Sequence, residues 1–99
     1  MVNKQKPQEQ QIQIKADDAT LRGTYANMAN ILHTKEEFVL DFLNIFGAAG
    51  TLNARVILSP GHFKRMVVAM TDNLKKYEEQ FGSVEASEAL SNPIGFQDR

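Results

Sequence analysis

Glu37-Phe-Val-Leu-Asp-Phe-Leu-Asn-Ile-Phe46 is the stretch on which the fold turns. Read as a strand, side chains alternate between faces. Phe38, Leu40, Phe42 and Phe46 then share one face, and Val39, Leu43 and Ile45 share the other with Asp41 among them. Read as a helix, the same run has a start and a stop. Thr34 followed three residues later by Glu37 is a capping-box pattern, and Gly47 stands where a C-terminal glycine would end the helix. Apolar residues on both faces leave periodicity unable to choose. The strand reading carries one requirement: a carboxylate among apolar neighbours needs a partner. Arg55, on the next predicted strand, supplies the opposite charge, so Asp41 and Arg55 are the expected buried ion pair.

Toward the C-terminus, Gly47–Asn53 (GAAGTLN) reads as a flexible loop of small residues. It lacks the glycine and lysine spacing of a phosphate loop. Ala54–Leu58 (ARVIL) reads as a buried strand. Ser59–Gly82 is an amphipathic helix with both ends marked. Ser59 is an N-cap, Pro60 sits at the first helical position, and Gly82 is the stop. Phe63, Val67, Met70, Leu74, Tyr77 and Phe81 recur at helical spacing as one apolar stripe. The stripe covers a sheet or, since it also fits a heptad over about three repeats, forms a self-association seam. Lys75 and Glu79 are a candidate ion pair four residues apart.

Toward the N-terminus, residues 20–33 support two readings. Leu21, Tyr25, Met28 and Leu32 have helical spacing, while Tyr25, Ala29 and Ile31 fit a strand beginning near Gly23. Asp17-Asp18 is a turn or a helix cap rather than a metal site, because no ladder of oxygen ligands follows it. Gln11-Ile-Gln-Ile-Lys15 alternates strictly and predicts a short strand with Ile12 and Ile14 inward. Residues 1–8 are expected to form a disordered leader, residues 9–82 a single domain, and residues 83–99 a flexible acidic tail.

The 99 residues allow one domain, with 42% hydrophobic and 23% charged residues, an ordinary globular balance. A net charge of −1 argues against a surface built throughout for nucleic acid. Without cysteine there is no disulfide, thiol nucleophile or thiolate metal site. No stretch approaches the length of a membrane span, and a cytoplasmic location is expected. Neither His33 nor His62 falls in a triad or metal pattern, so no catalytic residue and no cofactor is predicted.

Four segments together resemble a family of short prokaryotic proteins catalogued as a domain of unknown function, number 3467 in that series. They are Gly23-Thr-Tyr-Ala-Asn27, Glu37-Phe-Val-Leu-Asp-Phe42, Arg55-Val-Ile-Leu-Ser-Pro60 with His62, Lys64 and Arg65 behind it, and Asp72-Asn73 followed by Lys76-Tyr-Glu78 and Gln80-Phe-Gly82. The resemblance covers about Gln11 to Gly82. It implies a strand for residues 38–46, and so an α+β fold: a four-stranded antiparallel meander followed by one long C-terminal helix (ββββα). The alternative is an all-α three-helix fold with helices near 19–33, 35–46 and 60–81. A sheet with one helix leaves a face open, and a second copy of the same sheet is the expected cover, which predicts a homodimer.

Two function classes follow. The first is a non-enzymatic interaction module, dimeric, acting as adaptor or scaffold for an unknown protein partner. The alternative is a single-stranded nucleic-acid binder, in which aromatic side chains stack on bases while cations follow phosphates. Its residues would be Tyr25 and Phe42 for stacking, with Arg55, His62, Lys64, Arg65, Lys75 and Lys76 as an anion surface.

Overall fold

The structure is a computed structural model that describes residues 10–89 and 92–97. The expected leader, residues 1–8, lies outside the described residues. The elements are α1 (Asp18–Arg22), β1 (Met28–His33), β2 (Phe38–Phe46), β3 (Ala49–Leu58) and α2 (Pro60–Phe81). This is an α+β protein with three antiparallel strands followed by a long helix. The chain divides into two compact units, one ending at Ile57 and one beginning at Leu58.

In the first unit β2 is the middle strand, in the order β1-β2-β3. β1 pairs with it antiparallel, from Met28 opposite Leu43 to His33 opposite Phe38. The decisive run is therefore a strand, and the all-α alternative is wrong. The capping signal misleads because the same polar preferences serve a tight turn. The Thr34 hydroxyl accepts the N–H groups of Glu36 and Glu37 at 3.1 and 3.2 Å, and the Thr34 N–H donates to the Glu37 carbonyl at 2.9 Å. These bonds close the β1–β2 hairpin. His33 ends β1 with its ring 5.5 Å from that of Phe38.

The segment expected as a flexible loop is mostly strand. β2 reaches Phe46, the chain reverses over Gly47 and Ala48, and β3 begins at Ala49. Gly47 has φ +59°, the positive value a two-residue hairpin turn wants at its first central position. Gly50 is small for a different reason. A Cβ there would meet Ile45 Cγ1 at 3.0 Å and the Asn44 carbonyl at 3.1 Å. At Gly50 the missing side chain permits close strand approach.

The expected first strand does not form. Residues 11–15 have no regular structure, and Ile12 and Ile14 are each 81% exposed. Alternation predicts a strand only where a sheet edge takes it, and the three-stranded sheet does not extend to this segment. Among the described residues the expected four-stranded meander is a three-stranded one. Asp17 instead caps α1, accepting the Thr20 N–H at 2.8 Å.

Asn27 extends β1 by its side chain. Its Nδ2 donates to the Ile45 carbonyl at 3.0 Å, and its Oδ1 accepts the Ile45 N–H at 2.9 Å. The amide reproduces the donor–acceptor pair of a backbone peptide, just before β1 begins at Met28. Asn53 on β3 donates to the Tyr25 carbonyl at 2.6 Å, so the lead-in to β1 is tied to two strands.

In the second unit α2 begins and ends as its sequence signals dictate. The Ser59 hydroxyl accepts the His62 N–H at 3.2 Å, and Pro60 occupies the first turn. Gly82 has φ +95° with ψ 170°, so the chain leaves in an extended glycine conformation rather than a left-handed helical one. Its N–H donates to the Glu78 carbonyl at 2.9 Å, and the Val84 N–H to Glu78 Oε2 at 3.0 Å. Among the described residues the ion pair on α2 joins Asp72 to Lys76, at 3.5 Å, not Lys75 to Glu79.

Asn27→Asp keeps the acceptor but sets a carboxylate against the Ile45 carbonyl, whereas Asn27→Ala removes both bonds. Both variants are expected to lose about 1–3 kcal/mol in chemical denaturation, with Asp no better than Ala. Wild-type stability in Asn27→Asp would contradict the paired role of the amide.

Candidate functional site

Leu40, Asp41 and Leu43 on β2 are the buried side chains among the described residues, and Asp41 is 0% exposed. Arg55 on β3 meets its carboxylate with both arms of the guanidinium, Nε to Oδ1 at 2.7 Å and Nη2 to Oδ2 at 2.8 Å. This is the predicted pair, in the bidentate form arginine makes best. The Arg55 side chain is 48% exposed, so water screens part of the attraction. Arg55's hydrogen bonds hold the Asp41 carboxyl below its ordinary range and outweigh the opposing effect of burial. Asp41 in turn raises the Arg55 guanidinium. Hydrogen bonds from Thr20 likewise lower Asp17.

The remaining predicted site residues are divided between the units. Tyr25 is exposed, and Phe42 is half-buried on β2. His62, Lys64, Arg65, Lys75 and Lys76 all lie on α2. Arg65 Nη2 donates to His62 Nδ1 at 2.7 Å. Arginine cannot accept, so this contact places the imidazole proton on Nε2. Lys76 is held by Asp72. Three of the expected anion-binding cations, Arg55, Arg65 and Lys76, therefore have partners within the chain. Among the described residues no group of three or more His, Asp or Glu side chains is placed to hold a metal ion. No helix among them is long and apolar enough to cross a membrane.

The sequence leads to an open apolar face on the sheet, and α2 also carries exposed apolar side chains. The α2 stripe, expected to cover a sheet, has no buried residue. Met70 is 60% and Leu74 52% exposed. On the strands Ile31, Leu32, Phe46, Val56 and Ile57 are also exposed. Periodicity identifies an apolar face but not what covers it, so the stripe's pattern left sheet cover and self-association both open.

The sequence pattern of the family described as "Protein of unknown function (DUF3467)" matches residues 1–86. The chain belongs to this family. No curated protein and no solved structure matches it. In this DUF3467 chain the matched stretch contains all five elements, the Asp41–Arg55 pair and the α2 stripe.

The lowered Asp41 carboxyl sets the sign of an acid effect. Its contribution to stability is full above the unfolded carboxylate range, about pH 4, and is lost as pH falls through the lower folded value. Asp41→Asn, which cannot ionise, should start from a lower melting temperature at pH 7 and lose less of it between pH 5 and pH 2. Parallel acid profiles for the two proteins would contradict the assignment.

Proposed function

We propose that the chain is a non-enzymatic interaction module that works as a homodimer, an adaptor or scaffold whose surfaces bind protein. The observation that carries this reading is the exposed apolar surface on both units, from Ile31, Leu32 and Phe46 on the strands to Met70 and Leu74 on α2. Large apolar side chains left exposed in this number on a small chain point to interaction surfaces. A two-fold assembly uses one such patch twice.

The nucleic-acid reading has weaker support. A strand-tracking surface needs cations directed at phosphates, and here Arg55 faces Asp41, Arg65 faces His62 and Lys76 faces Asp72. Apolar association and phosphate binding also differ in their response to salt.

The test is the solution mass of the full chain at micromolar concentration in low and high salt, with a single-stranded oligonucleotide titrated in parallel. The reading predicts twice the chain mass of 11.1 kDa at both salt concentrations. A monomer overturns the homodimer. Oligonucleotide binding that falls steeply with salt and weakens in Lys64→Glu transfers the function to nucleic acid.

A further inference from the structure

The apolar positions of α2 are spaced four, three, four, three and four residues from Phe63 to Phe81, the alternation of a coiled-coil seam. Val67, Met70, Leu74, Tyr77 and Phe81 are all exposed within the single chain. Their spacing is symmetric about Asp72, with Met70 and Leu74 nearest and Val67 and Tyr77 next. Such a stripe reads the same from either end and fits a reversed copy of itself layer by layer.

The flanking residues choose the direction. In an antiparallel pair Lys64 of each copy falls beside Glu78 of the other, so opposite charges meet at both ends. In a parallel pair the corresponding neighbours are Met66 with Thr71 and Asn73 with Glu78, and no opposite charges meet. Antiparallel helices also set opposite dipole ends together.

The rest of the helix surface is consistent with a seam along this face. The Thr71 hydroxyl donates to the Val67 carbonyl and the Asn73 amide to the Ala69 carbonyl, each at 2.9 Å. These flanking polar groups are satisfied by their own helix, so covering them strands neither donor. Glu78 is fixed through Oε2 by the Val84 N–H, which leaves Oε1 for a lysine. The intrahelical contacts Arg65–His62 and Asp72–Lys76 lie at heptad positions on the opposite side from the stripe.

We propose that α2 is the dimer seam: two copies pack α2 against α2 antiparallel, Met70 on Leu74 and Val67 on Tyr77, locked at each end by Lys64 and Glu78. This rests on the homodimer reading and gives that dimer an interface and a direction. The partner is a second copy of this chain.

The sequence has no cysteine, so introduced thiols are unique. In one chain positions 64 and 78 are ~21 Å apart along the helix and cannot bridge. The full chain carrying Lys64→Cys with Glu78→Cys is oxidised and run on a non-reducing gel, beside each single variant and Thr71→Cys, which lies on the two-fold axis. Helicity equal to wild type confirms that each variant folds. The seam predicts covalent dimers from the double variant and from Thr71→Cys, in most chains, and none from Lys64→Cys alone. A wild-type dimer whose double variant does not cross-link, or whose Lys64→Cys cross-links alone as well as the double variant does, overturns the antiparallel seam and leaves the homodimer standing. A wild-type monomer removes both.

Discussion

A carboxylate with no access to water sits in the middle strand of a three-stranded sheet. A buried charge is tolerated only when paired and hydrogen-bonded, and Asp41 obtains both from one guanidinium. The consequences reach the strand order and the turn. β3 must lie beside β2 with Arg55 on the face of Asp41, and a one-residue slip would turn the two side chains to opposite faces. The tight reversal at Gly47 and the close approach at Gly50 are the local conditions that bring β3 there. On the other side, β1 is aligned by its six-residue register and by the Asn27 amide that continues the pairing to Ile45.

The parts of this arrangement that were legible in the sequence are those set by nearby residues or by charge. Ser59, Pro60 and Gly82 mark the ends of α2 because cap chemistry acts within a turn. Asp41 and Arg55 were legible because an acid among apolar neighbours leaves few choices of partner. The strand at 38–46 was not decided by pattern, since apolar residues on both faces suit a helix or a central strand equally, and the family resemblance chose. Thr34 and Glu37 misled because a hydroxyl that caps a helix also closes a hairpin. Ile12 and Ile14 misled because alternation says which side chains share a face, not whether a neighbouring strand exists. Gly47–Asn53 misled because small residues mark close packing as readily as mobility.

The fold leaves an imbalance. Leu40 and Leu43 are the buried apolar side chains among the described residues, one from each face of β2, while most large apolar side chains are exposed. A chain of this length depends on burying a substantial share of its apolar surface, and small domains short of core commonly complete it by association. In the dimer we propose, each chain aligns its own sheet by the polar pair, and α2 of the second copy covers α2 of the first.

That dependence is most directly tested by the melting temperature of the full chain as a function of its own concentration. If folding and association are linked, unfolding draws on mass action, and the melting temperature rises steadily as concentration is raised over a hundredfold range. A melting temperature that does not move with concentration would mean that the single chain is stable by itself, and would contradict the account.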